Sequence, residues 1–288
     1  MKQYIPIFTS AIAVAIVFST TSAYALDLPG EGETWTIPPN TTNVVEEADM
    51  AAYNALGKVV FADETSALRF TSATPPNVLL EGAGWMIKDY NGDWTITKQQ
   101  TSAWIGTWDF RGTGTVTPDG STVPLFAGGT GLHDVWIRSG AVGTHPKGWR
   151  AVYANAVVHV AGRLHLGGSG STVTLRQIEV EEDGASIYCG GTVWAQFSDI
   201  SSGGKLYNGG IKFNGHYLNV PSSSTYDSVL FFSDGSGKLQ GPGSIRVDPA
   251  MRFGIQAKSS SSTAASCSLD ITDMIVTSAV NVCNHYYN

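Results

Sequence analysis

Four acidic residues stand together in the second half of the chain, where Glu179, Glu181, Glu182 and Asp183 precede Gly184. On an extended strand, the side chains of Glu179 and Glu181 point to the same side and lie about 7 Å apart. Two carboxylates in this arrangement are suited to binding calcium or to cleaving a sugar chain. The alternative is a solvated face that precedes a turn at the glycine.

The basic residues near this acidic cluster are Arg163 and Arg176. If the fold brings them into one groove with the two glutamates, they complete a polysaccharide lyase or glycoside hydrolase site. The chain also has six histidines. Two of them, His159 and His165, lie on separate short strands without a Cys or Asp at ligand spacing, so we predict no metal site and expect both to face solvent.

A second candidate site is a segment rich in tryptophan, where Trp85, Trp94, Trp104 and Trp108 fall within 24 residues. Exposed rings of this kind stack on the faces of sugars, whereas buried rings fill or cap a hydrophobic core. Polar residues are interleaved with the rings and would supply hydrogen-bond partners to a sugar. The segment therefore predicts either a carbohydrate-binding platform or an aromatic core.

Residues 1–25 have the pattern of a secretory signal peptide. Lys2 precedes an apolar run from Ile5 to Phe18, and the small-residue triplet Ala23–Ala25 follows it. We expect the mature chain to begin near Leu26 and to be secreted or displayed at the cell surface. No later segment approaches the roughly 20 apolar residues that a spanning helix requires, so we predict no membrane span after signal removal.

The composition favours strands joined by tight turns. Only 14% of residues are charged, 33 are glycines, and the single helix-like stretch is Val44–Leu56. Once Lys2 is removed, 16 basic residues stand against 24 acidic ones. A surface with this excess of negative charge disfavours nucleic acid and anionic membranes as partners.

A glycine-punctuated pattern recurs along the chain. Each copy is a glycine, a short strand and further glycines, and the four copies begin at Gly162, Gly184, Gly204 and Gly237, separated by 22, 20 and 33 residues. Spacings of this size are typical of repeat architectures. Glycine permits the tight corners that stacked rungs need, and alternation between corners turns Leu175 and Ile245 inward and Arg246 outward.

We therefore predict an all-β fold, a right-handed parallel β-helix or β-solenoid. Residues 26–60 are expected to form an irregular N-terminal cap, and residues 61–288 the β-helix repeat domain. The alternative is an antiparallel β-sandwich, for which Asn91–Gly92 and Asp119–Gly120 would be hairpin turns.

The Gly-x-Leu-x-x-Gly-Gly and Gly-x-Gly-strand patterns resemble the passenger-associated repeats of bacterial autotransporter proteins. The likeness covers Gly162–Val247 and, more weakly, Ala67–Gly140. The resemblance implies a surface-displayed β-helix with an adhesive or structural role. It also implies partners such as a surface polysaccharide or the extracellular matrix of a host. The sequence departs from these proteins because no segment has the length for their membrane barrel.

The function that we expect is thus that of a secreted or surface β-helix without a catalytic role and without a cofactor. A polysaccharide lyase or glycoside hydrolase using Glu179 and Glu181 is one alternative, and calcium binding at this pair is a further possibility. A glycan-binding module using the Trp85–Trp108 segment is another alternative.

The three cysteines are Cys189, Cys267 and Cys283. Export permits a disulfide between Cys267 and Cys283, across a hairpin or between adjacent rungs. The alternative is three small buried side chains.

Overall fold

The computed structural model describes residues 26–98, 100–101, 103–118, 133–145, 156–168, 171–190, 192–197, 200–202, 205–207, 210–221, 229–232, 237–247, 252–255 and 269–276. This part of the chain is nearly all β. Its one α-helix, α1 (Met50–Asn54), follows a 3₁₀ turn at Glu47–Asp49. Parallel strands coil into a β-solenoid, which confirms the predicted fold class.

The strands are short and follow one another along the chain. The first twelve are β1 (Thr34–Ile37), β2 (Thr42–Val45), β3 (Lys58–Phe61), β4 (Ala67–Phe70), β5 (Leu79–Glu81), β6 (Trp85–Asp89), β7 (Trp94–Ile96), β8 (Thr107–Arg111), β9 (Gly114–Pro118), β10 (His133–Ile137), β11 (Ala141–His145) and β12 (Ala156–Val160). The others are β13 (Arg163–Gly168), β14 (Ser171–Leu175), β15 (Gln177–Val180), β16 (Ala185–Gly190), β17 (Thr192–Phe197), β18 (Ile200–Ser202), β19 (Lys205–Tyr207), β20 (Gly210–Lys212), β21 (Tyr217–Val220), β22 (Val229–Phe232), β23 (Gly237–Val247), β24 (Arg252–Ile255) and β25 (Leu269–Val276).

The strands stack in columns. The first column runs β2-β4-β6-β8-β10-β12-β15-β20-β23, and β25 pairs with β23. The second column runs β7-β9-β11-β13-β16-β21 and also ends on β23, which is long enough to contribute to both columns. Two smaller parallel sheets, β1-β3-β5 and β14-β17-β22-β24, complete the coil.

The antiparallel β-sandwich alternative is wrong. Within the described ranges the short β18–β19 pair is the one antiparallel pairing, and the other pairs are parallel. Asn91–Gly92 forms a corner between β6 and β7, which pair with other strands and not with each other. Asp119–Gly120 lies outside the described residues.

Parallel pairing begins early in the chain. Strands β1 and β2 lie within the segment 26–60, and they pair with β3 and β4 respectively. Helix α1 contributes Met50 and Tyr53 to the hydrophobic core. Among the described residues, no helix combines the length and apolarity needed to cross a bilayer.

The core is a set of inward side chains stacked rung upon rung. Leu175 and Ile245 are buried and Arg246 is exposed, as the alternation predicts. One inward ladder of the first column contains Phe70, Lys88 and Phe110 at equivalent positions. The Lys88 ammonium donates to the backbone carbonyls of nearby corners, and burial lowers the pKa of this lysine.

Two glycines of the predicted repeats stand where another rung passes too closely for a side chain. A Cβ on Gly162 would lie 2.3 Å from the carbonyl oxygen of Arg138 and 2.4 Å from that of Ala141. Gly243, in the middle of β23, has φ +153°, and a Cβ there would lie 2.3 Å from the Cβ of Phe213. Close approach of neighbouring backbone therefore explains why these corners are glycine.

We predict that Gly162→Ala lowers the free energy of unfolding by about 1–3 kcal/mol, because the added methyl group forces two backbone segments apart. Urea denaturation followed by circular dichroism measures the loss. Gly30→Ala is the matched control, since a Cβ there meets only the flexible side chain of Glu33, at 3.5 Å. Equal stability of the two variants would contradict this account of the corner.

Candidate functional site

Charged and aromatic side chains form a ladder on the outward side of the first column. The pairing register aligns Asp109, Trp136, His159, Glu179 and Lys212 on consecutive rungs. Parallel rungs lie about 4.8 Å apart, so each of these residues lies directly over its neighbour in the stack. We call this set, together with Arg138 and Glu181, the charged ladder.

One end of the charged ladder is a buried carboxylate. The side chain of Asp109 has no exposed surface, and it accepts hydrogen bonds from Nε of Arg111 at 2.9 Å and from Nε of Arg138 at 2.8 Å. Both guanidinium groups also reach solvent. A buried negative charge is tolerated only when it is paired in this way, so Asp109 fixes the two arginines.

Trp136 is stacked in the middle of the charged ladder. The imidazole of His159 lies parallel to the indole, with ring centroids 3.9 Å apart and 3° between the planes. The Arg138 guanidinium lies over the same indole at 4.1 Å, while its nitrogens bind Asp109 on the preceding rung. The indole thus contacts two cationic groups, an arrangement that cation–π attraction stabilises.

His159 is held between two carboxylates. Its Nδ1 lies 2.7 Å from Oε1 of Glu181 and its Nε2 lies 3.6 Å from Oδ1 of Asp134. Burial lowers the pKa of His159, but the hydrogen bonds and negative charges of Asp134, Glu181 and Glu179 outweigh it and raise the pKa to about 9. The prediction of a solvent-facing histidine is therefore wrong for His159, whose side chain is only 12% exposed.

The two glutamates that the sequence singled out are both engaged. Glu179 accepts hydrogen bonds from Gln177 and Asn214, and Nζ of Lys212 lies 3.5 Å from its Oε2. The hydrogen bond from His159 lowers the pKa of Glu181. The glutamates therefore share a network that neutralises their charges.

Three of these side chains are close enough together to bind a metal ion. One ligand atom from each of His159, Glu179 and Glu181 lies within 4.8 Å of the other two. A transition metal would need a lone pair of the His159 imidazole, so it would have to displace the proton that the neighbouring carboxylates favour on this ring. Calcium prefers oxygen ligands alone, and calcium binding by the two glutamates stays a prediction.

The two arginines proposed as catalytic partners lie on different parts of the coil. Arg163 begins β13 in the second column, around the corner from the charged ladder. Arg176 lies in the bend before β15, where burial lowers its pKa. The residues that join the glutamates are instead His159 and Lys212, which sequence spacing did not reveal.

The tryptophan segment does not form an exposed platform. Trp94, Trp104 and Trp108 are at most 1% exposed and pack edge-on or tilted against each other and against core phenylalanines. Trp85 is half-buried, and its Nε1 donates to the carbonyl of Glu64 at 3.0 Å. Three of the four predicted carbohydrate-binding rings therefore have no face available to a sugar, and they belong to the aromatic core that the sequence left open as the alternative.

The cysteines add no site in the described part of the chain. Cys189 is buried, and burial raises the pKa of its thiol to about 12. Cys267 and Cys283, the predicted disulfide pair, lie outside the described residues.

A groove of about 380 Å³ lies where the first column turns into the second. We call it the corner groove; it is lined by Ser139, Gly140, Val142, Ala161, Gly162, Arg163, Glu182, Asp183, Gly184, Ser186 and Tyr188. Asp183 Oδ1 is held by Nδ1 of His216 and by the backbone amide of Tyr217, each at 3.2 Å. The groove is therefore built from three successive corners and from the outward residues of β13 and β16.

No protein-family model matches this chain, and comparisons with curated proteins and with solved structures give no match either. The assignment of this chain as a β-solenoid therefore rests on the observed parallel pairing of its strands.

The geometry of His159 predicts a pH-dependent contribution to stability. Its pKa is about 9 in the folded chain against an ordinary value of 6.5, so the stabilisation is complete below pH 6.5 and is lost as the pH rises through 9. We expect the free energy of unfolding to fall by roughly 1–3 kcal/mol over this range. Urea denaturation at a series of pH values measures it.

The controls for this experiment are two histidine variants. His159→Gln should abolish this part of the pH dependence, whereas His165→Gln should keep it, because burial and Arg163 lower the pKa of His165. An unchanged pH profile in His159→Gln would show that the proton does not hold the charged ladder together.

Proposed function

We propose that the protein is an exported β-solenoid of the cell surface or the surrounding medium, with an adhesive or structural role like that of the autotransporter passengers it resembles. Its expected partners are surface polysaccharides or the extracellular matrix of a host. The observation that carries the proposal is the mutual pairing of the charged ladder on a stacked, regular surface. Such pairing stabilises a rigid scaffold, because each buried or half-buried charge has a partner.

The same pairing argues against the glycosidase and lyase alternative. A glycoside hydrolase that uses two carboxylates needs one of them protonated near neutral pH, which requires a raised pKa. The hydrogen bond from His159 lowers the pKa of Glu181 instead, so this carboxyl group is a poor general acid. Glu179 is bound by Gln177, Asn214 and Lys212, so its charge is already compensated within the protein.

An interaction at the start of the fold supports export with removal of residues 1–25. The backbone nitrogen of Leu26 lies 3.2 Å from Oδ1 of Asp49, whose other oxygen accepts a hydrogen bond from the amide of Glu46 at 3.0 Å. Asp49 is 8% exposed. Cleavage after Ala25 would turn the Leu26 nitrogen into an ammonium group, which gives this buried carboxylate an ion-pair partner.

We expect the exported protein to begin at Leu26, which mass spectrometry of the intact secreted chain measures directly. We also expect Asp49→Asn to destabilise a chain that begins at Leu26 by about 1 kcal/mol more than a chain with residues added before Leu26, since only the former has the ammonium group. Equal destabilisation of the two chains would remove this support for processing at Ala25.

The catalytic alternative has its own test. We expect the purified mature chain to release no reducing ends and no unsaturated products from acidic or neutral polysaccharides, and Glu181→Gln and the exposed-site control Glu64→Gln to behave alike. Protease accessibility on intact cells and recovery from the medium locate the protein. Turnover that disappears in Glu181→Gln but persists in Glu64→Gln, with both variants folded, would replace the proposal with an enzymatic function.

A further inference from the structure

The corner groove differs from the charged ladder because two of its charged side chains have no ion-pair partner among the described residues. In the charged ladder the carboxylates and cations pair with one another. In the groove, Arg163 and Glu182 are exposed, and no described residue forms a hydrogen bond or salt bridge with either side chain; the Arg163 guanidinium lies 5.9 Å from the centroid of the Tyr188 ring. Hydrogen-bonding capacity of both side chains therefore remains available in the groove.

The charges in the groove point to an uncharged ligand. Arg163 supplies a donor group, whereas Glu182 and the second oxygen of Asp183 supply acceptors. A polyanion would be repelled by the two carboxylates, whereas the guanidinium weakens the attraction of the groove for a simple cation. A sugar hydroxyl both donates and accepts, so a neutral polyhydroxylated ligand satisfies both kinds of group.

The remaining walls have the shape and chemistry for such a ligand. Tyr188 lines the groove with a half-buried aromatic ring, and an aromatic ring suits the C–H face of a sugar. The same ring packs against the imidazole of His165 at 5.0 Å and lies 5.9 Å from the Arg163 guanidinium, which hold it in place. Gly140, Gly162 and Gly184 lie at three successive corners, and because they have no side chains they leave the groove open. A volume of about 380 Å³ lies near the lower end of the range of about 300–1,000 Å³ for small-ligand sites, which fits a short oligosaccharide segment.

We propose that the corner groove binds a neutral oligosaccharide, with Arg163 and Glu182 holding its hydroxyl groups and Tyr188 contacting a ring. This inference rests on the proposed adhesive function and names the ligand class that this function would use. The groove thereby replaces the tryptophan segment as the carbohydrate-binding surface.

The test is isothermal titration calorimetry of the mature chain with a panel of pentasaccharides from cellulose, starch, xylan and mannan, and with pentagalacturonate as the anionic probe. We expect one neutral pentasaccharide to bind with a dissociation constant of about 1 mM or below. Arg163→Ala and Glu182→Gln should each weaken binding by about tenfold, the effect of losing a hydrogen bond to a charged group. Both residues are exposed, so the variants are expected to fold, and thermal denaturation verifies this.

Arg246→Ala is the matched control. Arg246 is also an exposed arginine of the second column, where it lies over the ring of Tyr217 at 3.6 Å, but it does not line the groove. Unchanged affinity in this variant supports the assignment.

Three results would overturn the inference: no binding by any neutral probe, tighter binding of pentagalacturonate, or equal effects of Arg163→Ala and Arg246→Ala. None of them bears on export or on the absence of turnover. Failure of the groove assignment is therefore distinguishable from failure of the proposed function, which the localisation and turnover experiments decide.

Discussion

Parallel hydrogen bonding in register between successive rungs is the constraint on which the rest of this structure depends. It places each residue about 4.8 Å above its equivalent in the preceding rung, and the inward or outward direction of a side chain is inherited along the stack. Val135 therefore lies over Val158 in the core, and His159 lies over Glu179 outside it. A core of stacked apolar residues and a surface of stacked polar ones both follow from the same register.

Stacking at this distance makes electrostatics decisive on the outward side, since like charges on adjacent rungs repel. The charged ladder avoids repulsion by alternating in sign: protonated His159 is followed by Glu179, and Glu179 by Lys212. The pKa of His159 is raised because hydrogen bonds from the imidazolium to Asp134 and Glu181, and the negative charges of Asp134 and Glu179, favour its protonated form. The proton on His159 therefore contributes to the stability of the charged ladder.

The sequence was sufficient to predict the strands, the glycine corners and the inward direction of Leu175 and Ile245, because these depend on local alternation and backbone geometry. It could not predict the charged ladder. Partners in this surface are separated by 29 residues between Asp109 and Arg138 but by 22 between His159 and Glu181, so no fixed period identifies them. The buried Lys88 was equally hidden, since its placement follows from the corner carbonyls that it meets.

The same reasoning separates the two surfaces as candidates for function. In the charged ladder, register places opposite charges on adjacent rungs, and the paired groups have little capacity left for a ligand. In the corner groove, Arg163 at the start of β13 is aligned with Val142 and Ser186, which carry no charge, and Glu182 lies in a corner outside the backbone ladder. The regular stacking that pairs the charges of the charged ladder thus leaves, among the described residues, unpaired charged groups in the corner groove, where corners and strand ends meet.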